Sequence, residues 1–536
     1  MLPEIHWILI APILAVFMAG ILGVIVETFV PARYRYYVHI IFGNVALLTA
    51  LGISIYNLKN ETPKLLVAGE LVYDRWSGVI QIVLIVVTIL SFQVLGYRNS
   101  LKKSYVFASN PFISDKSLSI ANLKNSNENT VDKLASTVNS DNEVDKKDFY
   151  GTERTEYFPI LMFSFGGMLV FVMAQSLLTL FVALELMSLP LYVLVAINKY
   201  HNRYSKEGAV KYFLMGSFAS AFMLMGIALL YGTTGTFTFN TLGEIAPEMQ
   251  NMVWAYVLGV LFVLVGFLFK IGAVPFHAWT PDAYQGAPTS VTGFMAGTVK
   301  IAGFAVLTRF IYSINPDMHS DLMWIYLTIV VLTILVGTFV GLTQSNVKRL
   351  LAYSSIAHTG FILIAVVAMQ KLSNSGIIFY LFTYAIATVG AFTIISMVKR
   401  RDVNTGYEVE DNSLSSYAGL GKTNPFLAVS FLIFLLSYAG IPLTAGFIGK
   451  FMVFAAGIKA GMLPVVVLAI IASVITAFYY LRLVSIMFTA KKEQLDTSKE
   501  VFVDSGINTN TIVVAISLII TIVCGLFPTA FFGLLS

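Results

Sequence analysis

Residues 268–288 read Leu268-Phe269-Lys270-Ile271-Gly272-Ala273-Val274-Pro275-Phe276-His277-Ala278-Trp279-Thr280-Pro281-Asp282-Ala283-Tyr284-Gln285-Gly286-Ala287-Pro288. An apolar run from Val253 leads into this stretch, and a second, Val291 to Tyr312, leads out of it. Lys270 therefore lies deep in one apparent membrane helix, and Lys300 lies in the middle of the next. A charge at the bilayer centre costs at least ~2.5–3.5 kcal/mol on insertion scales. Nothing structural requires two of them. Pro275 has no N–H and clashes with the carbonyl four residues back, at Ile271. The helix is expected to break one turn beyond Lys270. A broken helix with an ionisable residue at membrane depth is a recurrent way to build an ion path.

The rest of the chain fits a membrane setting. Of its 536 residues, 57% are hydrophobic and only 12% charged, which excludes an ordinary soluble protein. The apolar runs are long rather than alternating, so the fold class is an all-α polytopic membrane protein, not a barrel. The single cysteine, Cys524, excludes an internal disulfide and any multi-cysteine cluster. The first apolar run lacks a basic leader, so no cleavable signal is expected. No zinc spacing, P-loop or dinucleotide fingerprint appears.

About fourteen spans are predicted, at roughly 5–27, 38–57, 77–97, 157–174, 176–197, 209–231, 253–274, 288–312, 322–342, 349–369, 375–398, 425–456, 463–489 and 510–533. The run at 425–456 is too long for one straight crossing and should be broken. Spans four and five are almost continuous through Ala174-Gln175-Ser176. About 24 of the 34 Lys and Arg fall in loops after odd-numbered spans and about five in loops after even-numbered ones. Positive-inside then puts the odd loops in the cytoplasm and both termini outside. Segment 98–156 breaks the pattern. It is rich in Asn, Ser, Asp and Lys, and reads as a polar, disordered cytoplasmic loop with room for a short helix around Asn129–Val138. The expected units are an N-terminal three-helix segment, 1–97; the polar loop, 98–156; a first five-helix repeat, 157–312; a second, inverted five-helix repeat, 322–489; and a cytoplasmic loop with a C-terminal helix, 490–536.

The repeat rests on two echoing stretches. Lys270-Ile-Gly-Ala-Val-Pro275-Phe in span seven is answered by Tyr438-Ala-Gly-Ile-Pro442-Leu in span twelve. Both are apolar runs interrupted at a small residue before a proline, so breaks are expected at Pro275 and Pro442. Lys270 precedes its proline and Lys450 follows its own. The spans are an odd number apart, so the two units face opposite ways across the membrane, as in secondary transporters.

The ionisable residues inside the spans are the candidate site. Glu185 lies well inside span five, in Leu180-Phe-Val-Ala-Leu-Glu185-Leu-Met-Ser-Leu-Pro190. A lysine within ~4–6 Å would keep such a carboxylate charged, and at 4 Å the attraction is ~4 kcal/mol at an effective dielectric of about 20. A static ion pair between two helices is the plain alternative. Against it, the spans hold three deep lysines, Lys270, Lys300 and Lys450, for one deep carboxylate. Desolvation penalises the charged form of an unpaired lysine, which makes it poor glue and a usable proton carrier. Snorkelling is the alternative for each lysine, strongest for Lys450 because it follows a break. Arg309 and Arg482 lie near span ends and are expected to snorkel. His277 and His358 can relay protons near neutral pH or serve as hydrogen-bonded packing residues. Glu27 and Asp74 are expected at the interface, and Asp282 as a cap on the broken backbone.

Four stretches together resemble a known family: Val274-Pro-Phe-His-Ala-Trp-Thr-Pro-Asp-Ala-Tyr-Gln-Gly-Ala-Pro288, Ala183-Leu-Glu-Leu-Met-Ser188, Asn346-Val-Lys-Arg-Leu-Leu-Ala-Tyr-Ser-Ser-Ile-Ala-His358 and Ala439-Gly-Ile-Pro-Leu-Thr-Ala-Gly-Phe-Ile-Gly-Lys450-Phe. They are similar to the antiporter-like membrane subunits of proton-pumping NADH:quinone oxidoreductase, respiratory complex I. The resemblance runs from about residue 157 to 490. It implies fourteen helices with two inverted five-helix repeats, in a bacterial cell membrane. It implies that Glu185 and Lys270 form the charge pair of an input half-channel, that Lys300 is the central relay, that Lys450 serves the output half-channel, and that His358 lies on the polar axis between them. A lysine at 450 departs from one sister subunit, which carries glutamate there; the chain also lacks the long lateral helix of another. Segment 98–156 departs from the family pattern, in which spans three and four are closely joined. No cofactor is implied in this chain. NAD, FMN, iron–sulfur clusters and quinone are implied in the rest of the complex, and the partners are its other antiporter-like and small membrane subunits, with no nucleic acid.

Three rivals share some of these features. A subunit of a multi-subunit sodium/proton antiporter is similar in the same motifs, as is the membrane arm of a related hydrogenase or dehydrogenase. A stand-alone carrier of an organic solute would need more varied polar groups near the breaks. A purely structural scaffold subunit would leave the buried lysines unexplained.

Overall fold

The computed structural model describes residues 6–95, 155–197, 203–245, 253–314, 316–402, 408–489, 499–503 and 508–535. The polar segment expected at 98–156, with its short helix near Asn129–Val138, lies outside the described residues apart from its last two positions.

The chain is nearly all helical. Helices α1 (Trp7–Phe29) and α2 (Ala32–Asn60) meet at Pro31, whose fixed φ starts the second helix. A hairpin of β1 (Lys64–Leu66) and β2 (Leu71–Tyr73) leads to α3 (Arg75–Leu95). Next come α4 (Tyr157–Met173) and α5 (Leu177–Ala196), the two spans that hydropathy barely separates. Their junction is pinned from both sides: Ala174 bridges to Leu71 and Ser176 to Thr238. Then follow α6 (Arg203–Thr234), α7 (Phe239–Ile245), α8 (Val253–Ile271), the short α9 (Trp279–Gly286) and α10 (Thr289–Phe294). A five-residue π turn, Met295–Val299, separates α10 from α11 (Lys300–Ser313).

The second half runs through α12 (Pro316–Leu342), α13 (Val347–Ala368) and α14 (Lys371–Met397). Strands β3 (Val398–Asp402) and β4 (Glu408–Glu410) follow, then α15 (Leu420–Thr423), α16 (Pro425–Ala439), α17 (Ala445–Lys459) and α18 (Leu463–Thr489). Strand β5 (Lys499–Val503) pairs antiparallel with β3, giving the sheet order β4-β3-β5. The chain closes with α19 (Thr509–Leu526) and α20 (Pro528–Leu535). Asparagine side chains cap three of these helices: Asn346, Asn424 and Asn508 accept the N–H of Arg349, Leu427 and Thr511.

Among the described residues, 12 helices are long and apolar enough to cross a membrane, with Tyr157–Met173 and Pro425–Ala439 as shorter apolar helices. The long run at 425–456 is divided into α16 and α17, as its length predicts. An 18-residue stretch of each of the spans Thr289–Ser313 and Ser373–Met397 is wholly enclosed by protein, and one of Val347–Ala368 nearly so. These are the innermost helices, so Lys300 and His358 start from the centre of the molecule. The two halves pack alike. Helix α4 lies on α5 and α12 on α13; α6 lies on α8, and α14 on α16 and α17. Backbones approach closely at matching places. A Cβ on Gly167 would come within 2.6 Å of Met187 N, and one on Gly337 within 2.4 Å of Ala357 N.

Candidate functional site

The first break is made by a glycine. Gly272 adopts φ +72°, the N–H of Ala273 donates to the Leu268 carbonyl at 2.8 Å, and the N–H of Gly272 to the Phe269 carbonyl at 3.1 Å. This cap ends α8 one residue past Lys270, earlier than the clash at Pro275 alone predicts. Pro275 lies in the non-helical linker 272–278 that follows. The freed backbone groups find partners in the second half of the chain. Thr359 Oγ1 on α13 donates to the Ile271 carbonyl at 3.0 Å, and the Val274 N–H donates to Thr333 Oγ1 on α12 at 3.0 Å.

Lys270 is buried, with 1% of its surface exposed. Its Nζ lies 2.7 Å from Ser188 Oγ and 3.3 Å from the Tyr212 hydroxyl. Glu185 sits one turn before Ser188 on α5 and accepts from Ser220 of α6. Among the described residues no direct ion pair joins Lys270 to Glu185: the nearer hydroxyl of Ser188 takes the ammonium.

The π turn delivers Lys300 into the enclosed centre. Lys300 Nζ donates to the Ser355 carbonyl and to Thr359 Oγ1, the latter at 2.8 Å, and lies 5.6 Å from the Tyr384 ring centroid. One residue before Thr359, His358 is caged by tyrosines. Its Nδ1 is 2.7 Å from the Tyr380 hydroxyl and its Nε2 3.4 Å from that of Tyr480; the Tyr384 and Tyr438 rings lie 4.9 and 5.6 Å away. Its ring also packs 5.9 Å from the Phe361 ring, on which Lys450 rests from 5.0 Å.

The second break repeats the first cap. Gly440 adopts φ +80°, the Ile441 N–H donates to the Leu436 carbonyl at 3.1 Å, and the Gly440 N–H to the Ser437 carbonyl at 3.0 Å. Here too the glycine ends the helix before the proline, Pro442, is reached. Lys450 of α17 folds back over the break. Its Nζ donates to the Ala439 carbonyl at 2.9 Å and to Ser473 Oγ at 2.7 Å, and lies 5.0 Å from the Phe361 ring centroid. A helix C-terminus carries partial negative charge, so a cation is favoured there.

Not every candidate converges on this line. His277 is in the linker, and among the described residues no contact joins it to the three lysines. Asp282 does not cap the break. It accepts from Lys211 Nζ at 2.6 Å and Arg349 Nη1 at 2.5 Å, stapling α9 to α6 and α13. Burial alone would raise its carboxyl pKa, but the two cations outweigh that and hold it below the usual carboxylate range. Arg309 does not snorkel: both oxygens of Asp74 take its Nη2 at 2.8 Å. Arg482 is exposed, its Nη1 3.4 Å from the Leu342 carbonyl. Glu27 accepts from Arg35 and meets His39 at 2.8 Å.

Sequence reasoning missed the hydroxyls and one lysine. Lys348, counted with the loops, is 2% exposed and donates to the Ala287 carbonyl at 3.0 Å, with Glu410 at 3.5 Å. A signal for it exists: Lys348, Ser355 and Thr359 fall on one face of α13 by helical spacing. Ser188 also lies one turn from Glu185 in the quoted sequence.

Residues 174–476 match the family described as NADH:quinone oxidoreductase/Mrp antiporter, TM. NADH-quinone oxidoreductase subunit N of Beutenbergia cavernae is 41% identical over 481 residues, covering 88% of this chain and 86% of that protein. The chain belongs to the NADH-quinone oxidoreductase subunit N family. The subunit N of Mycobacterium tuberculosis is 38% identical over 528 residues, 98% of this chain and 96% of that one. A chain in the structure of respiratory complex I from Thermus thermophilus superimposes with a TM-score of 0.73 at 28% identity, covering 97% of each. The subunit N family thus accounts for the antiporter-like membrane fold. Among the described residues, no group of three or more His, Cys, Asp or Glu side chains could hold a metal ion.

Proposed function

We propose that this chain carries protons across a bacterial plasma membrane as an antiporter-like subunit of a complex I-type NADH:quinone oxidoreductase. Electron transfer from NADH to quinone takes place in other subunits, which hold the NAD, FMN, iron–sulfur and quinone sites. The observation that carries the reading is the line Lys270, Lys300, Lys450. All three are buried, and each ammonium rests on hydroxyls or carbonyls with no carboxylate in direct contact among the described residues. Such lysines can give up and regain a proton without breaking an ion pair first.

The roles follow the order of contacts. Glu185 and Lys270 take up the proton, Lys270 resting on Ser188 and Glu185 on Ser220. Lys300 is the central relay. His358, next to the Thr359 that holds Lys300 and packed on the Phe361 ring that faces Lys450, joins the relay to the output residue Lys450. His277 is a second, outlying candidate relay. A change of conformation or charge arriving from a neighbouring membrane subunit moves Glu185 relative to Lys270, and the proton passes onward. Transfers of this kind are coupled, so the titrations belong to the set rather than to one lysine.

The matching glycine caps at Gly272 and Gly440 and the matching helix pairs support two inverted five-helix repeats. The charge bias of the loops supports cytoplasmic odd-numbered loops with both termini on the outer side. The experiment is Lys300→Ala in the assembled complex, in sealed membrane vesicles. Proton pumping driven by NADH should fall sharply while the complex still assembles; unchanged pumping would overturn the reading. Recovery of the chain with antiporter subunits, and without the NADH-oxidising ones, would assign it to the sodium/proton antiporters instead.

A further inference from the structure

Among the described residues, Thr359 is the one side chain hydrogen-bonded both to Lys300 and to the break beside Lys270. Its Oγ1 accepts from Lys300 Nζ at 2.8 Å, and lies 3.0 Å from the Ile271 carbonyl and 3.1 Å from the Ser355 carbonyl. We infer that the Thr359 hydroxyl reports the protonation of Lys300 to the broken end of α8, and so couples the central relay to Lys270.

The argument rests on donor and acceptor counts. An ammonium has three N–H donors and no acceptor. While Lys300 is protonated, Thr359 Oγ1 can only accept from it. The single hydroxyl hydrogen then points away, towards the Ile271 or Ser355 carbonyl. When Lys300 has given up its proton, the neutral amine offers a lone pair. The hydroxyl hydrogen turns to that lone pair, and the Ile271 carbonyl loses its donor.

Ile271 is the last residue of α8 and follows Lys270 directly. Its carbonyl belongs to the end of a helix, where no intrahelical N–H is available, and it is fully buried. A buried carbonyl left without a donor is destabilising. Deprotonation of Lys300 therefore loosens the helix end that positions Lys270. Linkage makes the effect reciprocal: movement at the break shifts the proton equilibrium of Lys300 by the same factor. Thr333 provides the contrast. It also holds the linker, through the Val274 N–H, but its hydroxyl donates to the Ile329 carbonyl within its own helix, and among the described residues no hydrogen bond joins it to a lysine.

Thr359 is thus a positioning residue, and its role rests on the reading of Lys300 as a proton carrier. The test compares Thr359→Val and Thr359→Ser in the assembled complex, with Lys300→Ala alongside. NADH oxidation and proton pumping are measured on the same vesicles. Valine keeps the shape and removes the hydroxyl; serine keeps the hydroxyl. Protons pumped per NADH should fall at least about fivefold in Thr359→Val, the lower end of ordinary coupling between sites, and should return in Thr359→Ser. Normal pumping in Thr359→Val with lost pumping in Lys300→Ala would overturn the coupling and leave the proton path standing. Normal pumping in both would overturn the path and the coupling together. Equal loss in Thr359→Val and Thr359→Ser would assign the effect to packing and overturn the role of the hydroxyl. If Thr359→Val does not assemble, Thr359→Ala is read by the same criteria.

Discussion

Lys450 Nζ lies 2.9 Å from the carbonyl oxygen of Ala439, so an ammonium on one half of a broken helix closes the open carbonyl end of the other half. Ser473 Oγ donates to the same carbonyl at 3.2 Å and accepts from Lys450 at 2.7 Å. The break and the lysine are one structure. The carbonyl end stabilises the cation, and the cation satisfies a backbone group that lost its helical partner.

The glycine in that break gives the first prediction. A Cβ on Gly440 would come within 2.8 Å of Lys450 Cδ, and the backbone there is left-handed. Gly461 has a similar φ, +77°, but open space around it. Alanine at either position costs about 1–2 kcal/mol of backbone strain. Gly440→Ala and Gly461→Ala should therefore lower thermal stability alike, while only Gly440→Ala displaces the ammonium and loses proton pumping. Equal pumping in the two variants would separate Lys450 from the break.

Asp282 gives a prediction in pH. Its carboxyl is held below the usual range by Lys211 and Arg349 against the effect of burial. A depressed folded-state pKa contributes stability above the unfolded value, about 3.9, and loses it as pH falls through the folded value. Asp282→Asn should be less stable at neutral pH by about 1.5–3 kcal/mol, the worth of hydrogen bonds to a charged group. The gap between the two proteins should close as pH falls below about 4. Thermal unfolding of the detergent-solubilised complex across pH measures it, and a constant gap would remove Asp282 from the acid response.

The sequence made the helices legible because lipid leaves few options. Apolar runs of span length had to be helices, and the run at 425–456 had to divide. The position of each break was less legible. Proline marks the region, yet Gly272 and Gly440 end the helices first, because a left-handed cap satisfies the last carbonyls before the proline is reached. Pairing was not legible at all from local context. Arg309 reads as a snorkelling residue until Asp74, far away in the chain, takes its guanidinium. Lys348 reads as a loop cation until α9 and β4 close over it. The same limit applied to Lys270: the family resemblance implied Glu185 as its charge partner, while the hydroxyls of Ser188 and Tyr212 fill the nearer places.

The orientation is testable by labelling from one side. The loop charges put positions near Asn125 and Arg401 in the cytoplasm, and positions near Glu244 and Asp317 outside. Engineered cysteines at the first pair should react with an impermeant reagent from the cytoplasmic face, and those at the second pair should not. Labelling near Glu244 from the cytoplasm would reverse the topology.

The last prediction separates a switch from a clamp at Lys270. Its Nζ touches Ser188 and Tyr212, while Glu185 is held by Ser220. If Lys270 is a carrier, Lys270→Ala should leave a complex that assembles and oxidises NADH at reduced rate, with proton pumping sharply lowered. If Lys270 and Glu185 only hold helices together, removing one partner strands a buried charge at a cost of ~3–5 kcal/mol, and assembly itself should fail. The double variant Glu185→Ala with Lys270→Ala then decides between them. A clamp recovers assembly when both charges are gone, because none is left uncompensated. A proton path does not recover pumping, because both carriers are missing. Normal pumping in Lys270→Ala alone would remove this lysine from the path and leave Lys300 and Lys450 to carry protons supplied some other way.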